Sequence, residues 1–413
     1  MSQANPNLPL TKITLLIVST LTVMAVATIA PALPAMRANF ADLPNVDLLV
    51  GLVLTIPGLS IVIGAPLAGM VVDRFGRKRL LIFSTVLYGI SGSLGFFLES
   101  LTAILMSRAL LGFAVAGIMT SVITLIADYY EGEARARFMG LQAAFMNLGG
   151  VVFTVTGGFL ADVIWRAPFL IYLVAFAILP FIVVALFEPA RERAPVQEFG
   201  LDGNDKVRFP FNRLVLVYLT ALTFMAAFML MAVQLPFFLE EVAGSSATQI
   251  GLAIAGSILF SIPPSLLYAR ISKRFDVFSI VATGFVLFSI GYTIIGFASG
   301  FWQVVMGAAV AGVGLGLLMP AINIWVTSLA PEIFRGRAFG LLTTFLFFGQ
   351  FISPVVAQPV SQQFGIGMTF AFTGGLMFVI GAAFFIGARV SRTPVPGPVE
   401  GNQSPPGSTV QSR

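Results

Sequence analysis

The stretch GMVVDRFGRKR, residues 69–79, sets one acid, four basic residues and two glycines between two long apolar runs. Working outward, 46–70 before it and 80–98 after it are almost free of charge. Charge this dense in so apolar a chain marks a tight turn at the edge of an apolar phase.

The composition identifies that phase. Of 413 residues, 57% are hydrophobic and 10% charged, against roughly 45–50% and about 25% in ordinary soluble domains. A water-soluble fold of this size could not cover its surface, whereas a bilayer asks for about 20 apolar residues per helical pass. The 40 Phe and 41 Gly suit helices that pack closely in lipid. Cysteine and histidine are absent, which excludes disulfides, thiol nucleophiles, Cys/His metal sites and imidazole proton relays. No G-x-x-x-x-G-K-[ST] phosphate loop occurs, which disfavours an ATP-driven pump. No catalytic cluster sits at one depth, so an enzyme is not expected, nor a cofactor or a metal.

Apolar runs bounded by Gly, Pro or charge give spans near 12–34, 46–70, 80–98, 101–125, 138–161 and 167–187. A second set follows near 213–238, 247–269, 277–298, 301–326, 338–359 and 366–388. Numbering the connections alternately puts Lys12, the 71–79 turn, Arg135, Arg137, the 188–213 segment, Arg270, Lys273, Arg274, Arg335 and Arg337 on one side. The other side holds only Arg37 and Arg166. By the positive-inside rule the first side is cytoplasmic, together with both termini. Residues 1–11 lack the positive n-region of a cleavable signal, so the first span is expected to stay. The domains expected are a cytoplasmic segment at 1–11, a six-helix bundle at 12–187, a polar linker at 188–212, a second bundle at 213–390, and a Pro/Ser/Gly-rich tail at 391–413, read as disordered.

An internal repeat supports two copies of one unit. RARFMGLQAAFMNLGG from Arg135 and RGRAFGLLTTFLFFGQ from Arg335 align at an offset of 200, pairing Gly140 with Gly340, Phe145 with Phe345 and Gly149 with Gly349. Parallel repeats of this kind place a binding site between the halves near mid-membrane.

The chain now resembles the major facilitator superfamily over about residues 12–390. The 69–79 turn matches that family's signature between helices 2 and 3, G-x-L-a-D-r-x-G-r-k, with Val71 in the Leu position. The resemblance implies an all-α integral membrane fold of twelve helices in two pseudo-symmetric bundles. It also implies that Asp73 helps latch the halves in one state. Physically, Gly69 would allow close helix approach, Gly76 a positive φ, and Asp73 a seat near a helix N-terminus. Arg74, Arg77, Lys78 and Arg79 have Asp128, Glu131 and Glu133 as candidate partners, or serve only as topology anchors. The second copy, ARISKR from Ala269, has lost the acid.

Arg108, Gly112 and Gly117 resemble the family's helix 4 signature R-x-x-x-G, in which the Arg is tied to coupling or substrate charge. Snorkelling to the interface is the alternative. The repeat keeps the glycine as Gly312 but has Ala308 in place of the Arg. Drug–proton antiporters carry G-x-x-x-G-P-x-x-G-G on helix 5; GGVVFTVTGG at 149–158 keeps Gly149, Gly157 and Gly158 but has Phe153 and Thr154 for the Gly-Pro pair. Helix 11 holds Gly349, Ser353 and Pro354 at similar spacing, so the bend is expected there.

No acid sits deep in a span. Asp128, Glu240 and Glu241 at span ends are the candidates for proton coupling. The family's cavity is lined by helices 1, 4, 5, 7, 8, 10 and 11, which nominates the polar residues Gln142, Asn147, Gln234, Asn323 and Gln350. Phe145, Phe228 and Trp325 join them as adaptable surfaces; interhelical bonding and plain packing are the competing roles. The reading is a secondary transporter of the inner cell membrane working by alternating access as a monomer, an antiporter exporting hydrophobic drug-like or metabolite molecules on a proton gradient. An uncoupled or importing permease for a small neutral solute such as a sugar, and a transporter-like sensor or scaffold, are the alternatives. Lipid, a small-molecule substrate and protons are the expected partners, with no nucleic acid.

Overall fold

The computed structural model describes residues 6–189 and 209–390. Among the described residues, twelve helices are long and apolar enough to cross a membrane: α1 Pro9–Asn39, α2 Val46–Phe75, α3 Arg77–Phe96, α4 Leu101–Tyr129, α5 Gly132–Val163 and α6 Ala167–Ala185, then α7 Phe211–Ala243, α8 Ala247–Ile271, α9 Val277–Gly296, α10 Phe301–Leu329, α11 Arg335–Phe364 and α12 Ile366–Arg389. No strand occurs among the described residues. Residues 190–208 of the expected linker and all of the expected tail, 391–413, lie outside the described residues.

Twelve passes bring residue 390 back to the face from which residue 9 starts; we call this the proximal face and the other the distal face. Several helices outrun the apolar stretches that announce them. The fifth, read from hydropathy at 138–161, begins at Gly132, because hydropathy marks the apolar slab whereas helical hydrogen bonding continues through a charged interfacial turn. The first helix is broken by its prolines: the α-helix Pro9–Ala27 gives way to a 3₁₀ turn at Ala30–Ala32, and helix resumes over Leu33–Asn39.

The two halves repeat their packing as well as their sequence. A Cβ on Gly112 of α4 would lie 2.5 Å from the Pro57 carbonyl oxygen of α2, and one on Gly312 of α10 would lie 2.1 Å from the Ser257 carbonyl oxygen of α8. Both pairs are offset by 200 residues, so one helix crossing is built twice around one glycine. Tyr88 donates to the Leu21 carbonyl at 2.6 Å from α3 to α1, and Tyr292 donates to the Ala227 carbonyl at 2.5 Å from α9 to α7.

Prolines inside spans leave carbonyls without their helical N–H donor, and side chains from neighbouring helices supply it. Pro320 cannot serve the Gly316 carbonyl, and Ser265 Oγ donates to it at 2.9 Å. Pro57 cannot serve the Val53 carbonyl, and Arg108 Nε donates to it at 3.2 Å.

Candidate functional site between the bundles

Where the bundles face one another, a cavity of about 230 Å³ is lined from seven helices. Helix α1 gives Thr22, Val23, Ala25, Val26, Ala27 and Ala30, α2 gives Pro57 and Ile61, and α4 gives Val115 and Met119. Across from them stand Met146 and Thr154 of α5, Phe228, Met229 and Ala232 of α7, Ile254 and Ile258 of α8, and Phe347 and Gln350 of α11. No charged residue is among its described lining residues, whose polar side chains are Thr22, Thr154 and Gln350. Thr22 donates its hydroxyl proton to the Ser19 carbonyl and Thr154 to the Gly150 carbonyl, both at 2.7 Å. Gln350 is 3% exposed and its Nε2 is buried without a hydrogen-bond partner.

The other residues nominated from sequence are distributed elsewhere. Gln142 donates to Ser19 Oγ at 2.9 Å, tying α5 to α1. Phe145 and Asn147 are partly buried and flank Met146, the residue that reaches the cavity. Asn323 is exposed and donates to the Met319 carbonyl of its own helix at 2.9 Å. Trp325 is packed inside the second half, with ring centroids 5.1 Å from Phe278 and 5.8 Å from Phe384. Gln234 lines a second, distal chamber of about 240 Å³ with Arg37, Asp47, Glu241 and Gln358. Helix α2 thus takes a place at the cavity where α10 was expected.

The bundles close against one another from mid-height to the distal face. A Cβ at Gly58 would lie 2.9 Å from the Phe347 carbonyl oxygen and 3.2 Å from the Gln350 side chain, so α2 and α11 touch at the cavity wall. Further out, a Cβ at Gly51 would sit 3.1 Å from Pro354, and one at Gly158 would sit 2.4 Å from the Ala247 carbonyl oxygen. At the rim, Ala247 and Thr248 donate their backbone N–H groups to the Asp162 carboxylate at 2.7 and 3.0 Å. An α5 carboxylate therefore caps the N-terminus of α8 across the interface, where the helix dipole favours an anion. Arg37 pairs with Asp47 at 2.5 Å and lies over the Phe237 ring of α7 at 5.8 Å. Toward the proximal face the repeat-related Gly140 and Gly340 would have open space around an added Cβ. Neither Asp162 nor the place of α2 at the cavity stood out in the sequence; the Asp–Val–Ile–Trp run after the helix 5 glycines reads as an ordinary helix end.

Arg108 is fully buried inside the first bundle and does not snorkel. Its guanidinium donates from Nε to the Val53 carbonyl, from Nη1 to Tyr172 Oη at 2.9 Å and from Nη2 to the Ala25 carbonyl. Tyr172 also donates to the Ala25 carbonyl at 3.0 Å. The Ala25 acceptor sits just before the break in α1, and the Val53 acceptor is the one that Pro57 orphans. The cation is thus held by helix carbonyls and a tyrosine one layer behind the cavity, at residue Ala25, which also lines it. Gly117 packs onto Ser84, Gly157 onto the Thr28 carbonyl of α1, and Gly349 onto Leu222 of α7.

The 69–79 turn is built around Gly76, whose φ of 98° separates α2 from α3. Glu188 fills the space a side chain would need there: an added Cβ would lie 2.6 Å from its Oε1. Its carboxylate accepts from Arg77 N at 2.7 Å and Lys78 N at 2.8 Å, capping α3 from the start of the connecting segment. Lys78 Nζ donates to the Val183 carbonyl at 2.8 Å. Arg77 Nε stands 2.9 Å from Asp128 Oδ2, a contact that is close but poorly aligned for a hydrogen bond. Asp128, a candidate for coupling, is therefore engaged by the signature turn of its own bundle. Asp73 and Arg74 are exposed at the proximal end of α2. A Cβ at Gly69 would meet open space, so the close approach expected there is not made; Gly64 makes it instead, 2.9 Å from Phe113 and 3.1 Å from Ala116. Glu240 and Glu241 are exposed at the distal end of α7.

The family model described as Major Facilitator Superfamily matches residues 15–246 and 216–411. The chain is 26% identical over 340 residues to the quinolone resistance protein NorA of Staphylococcus aureus, covering 81% of this chain and 85% of the relative. It is 25% identical over 329 residues to multidrug resistance protein 1 of Bacillus subtilis, covering 78% and 82%. In fold it is similar to the crystal structure of the D-xylose-proton symporter, with a TM-score of 0.76 at 15% identity over 91% of this chain and 96% of that one. With twelve spans, a two-bundle repeat and a cavity between the bundles, the chain belongs to the Major Facilitator Superfamily and is a membrane transporter, not an enzyme.

Proposed function

We propose that this transporter exports neutral, lipophilic drug-like or metabolite molecules by alternating access. The observation that carries the reading is the cavity itself: about 230 Å³, lined mostly by aliphatic, aromatic and thioether side chains, with no charged residue among its described lining residues. A phosphorylated or dicarboxylic solute would need several basic groups in the wall, and a permanent cation would want a carboxylate. Methionine and phenylalanine adapt to varied apolar shapes. Relatives named for quinolone resistance and multidrug resistance support export of drug-like molecules. With the basic proximal face taken as cytoplasmic, the molecule stands closed on the outside, and its cavity would be loaded from the inner leaflet or cytoplasm.

Asp73 belongs to the opposite closure. In this reading it steadies the state in which the proximal face is shut, as Asp162 steadies the state in which the distal face is shut. Proton coupling, having no acid in the cavity to act on, would act at the distal rim through Glu241 and Asp162, exposed to the proton-rich side. The absence of an acid from the cavity also favours a second reading, uncoupled movement of a neutral solute. Reconstitution separates them. Efflux of a neutral lipophilic dye from proteoliposomes should rise several-fold when a pH gradient is imposed and fall back when an ionophore collapses it. A rate unchanged by collapse would remove proton drive and leave the uncoupled permease.

A further inference from the structure

The cavity offers one uncommitted side-chain donor among its described lining residues, and that donor constrains what the cavity holds. The hydroxyl protons of Thr22 and Thr154 are spent on backbone carbonyls of their own helices at 2.7 Å, which leaves their oxygens as acceptors only. The remaining lining residues are apolar. Gln350 alone presents N–H groups, and its Nε2 is buried with no partner. An amide donor left unpaired in an apolar wall carries a desolvation cost that an incoming acceptor would relieve.

The surroundings hold this amide in place. Gly58 of α2 leaves the room it occupies, since an added Cβ there would stand 3.2 Å from its Cγ and Cδ. Ser353, a turn further along α11, is tied to the Ala226 carbonyl of α7 at 2.8 Å. The residue thus reaches from the second bundle to the first at the cavity wall. Any ligand bonded to it would be sensed at the seam where the bundles separate.

Resting on the transport reading above, we infer that the cavity selects neutral lipophilic molecules that carry a hydrogen-bond acceptor, such as a ketone or amide carbonyl, and that Gln350 Nε2 is the group that reads it. A hydrocarbon of the same shape fills the cavity but leaves the amide unpaired, so it binds more weakly. Specificity resides in one polar contact, and affinity in the apolar wall.

The test uses a matched pair of tritiated probes, benzophenone and diphenylmethane, which differ in the carbonyl. Binding is read by scintillation proximity on the full-length protein in lipid nanodiscs, with empty nanodiscs subtracted. The wild type should prefer the ketone about three- to tenfold, the range one hydrogen bond supplies. Gln350→Met, which keeps volume but removes the donor, should bring the ratio to about one while the affinity for diphenylmethane holds. Equal binding of both probes by the wild type would overturn the inference without touching the transport reading, as would a preference that survives Gln350→Met. Failure of both probes to bind would overturn the inference together with the lipophilic-substrate reading beneath it. The wild-type comparison stands even where the variant is poorly folded.

Discussion

Replacing Asp162 by alanine should open the distal face. The carboxylate accepts two backbone N–H groups at the start of α8, and the donors belong to the opposite bundle, so both bonds exist only while the bundles are closed on that side. Losing a capping side chain costs about 1 kcal/mol at helix N-termini in general, and removing an anion from the helix dipole costs about 0.3–1 kcal/mol more. The site is exposed, so the lower ends of these ranges apply to the charge contribution. A total of about 1.3 kcal/mol spent on one of two conformations shifts their ratio about tenfold toward the distally open one. The chain contains no cysteine, so a single reporter is simple to place. Val233 is 2% exposed and stands 3.2 Å from where a Gly51 Cβ would lie, within the distal closure. A Val233→Cys reporter should react with a membrane-impermeant maleimide about tenfold faster when combined with Asp162→Ala. Asp162→Asn, which keeps one acceptor, should fall between. The difference should shrink in high salt, where the charge contribution is screened. Equal labelling rates with and without Asp162→Ala would refute the argument that this cap holds the distal face shut.

Two further expectations follow from the buried cation and the signature turn. Arg108→Ala leaves the Val53 and Ala25 carbonyls and Tyr172 without their shared donor. It should lower the unfolding temperature in detergent and abolish coupled transport, while Tyr172→Phe, which removes a single partner of a charged group, should cost about 1.5–3 kcal/mol; an unchanged melting curve and normal transport for Arg108→Ala would contradict both. Asp73→Asn should weaken the proximal closure, raising reactivity of a cysteine placed at Leu141 relative to the parent and slowing transport, and unchanged reactivity and transport would show that the turn only anchors topology.

The sequence disclosed the helices because a bilayer enforces them. Twelve apolar runs can be counted without knowing a single contact, and the 200-residue offset that pairs Gly112 with Gly312 becomes, in three dimensions, the same crossing of α4 on α2 and α10 on α8. Gly76 was also legible, because a turn between two spans needs positive φ and here has 98°. The cavity was less so. Polar residues in apolar spans have two outlets, a ligand or another helix, and sequence does not distinguish them. Gln142 spends its amide on Ser19, and Asn323 bonds to its own helix. Gln350 has no such outlet and faces the cavity. Aromatic residues are ambiguous for the same reason: Phe228 lines the cavity, whereas Trp325 fills the interior of its bundle. Caps supplied across long sequence distances, Glu188 on α3 and Asp162 on α8, leave no local signal, because the donors and the acceptor meet only after the helices pack.

On the transport reading, lipophilic molecules pass through the cavity between the bundles. Ala232 lines it from α7 with 7% of its surface exposed, and enlarging that side chain fills the space. The direct measurement is accumulation of a neutral lipophilic dye and of a dianionic dye in a pump-deficient bacterial host carrying an empty vector, the wild type or Ala232→Trp, with membrane levels of the two proteins matched. Wild-type cells should hold several-fold less of the neutral dye than vector cells, Ala232→Trp cells should match the vector, and the dianion should be indifferent to all three. Equal accumulation of the neutral dye in wild-type and vector cells, or undiminished export with Ala232→Trp, would rule out passage through this cavity.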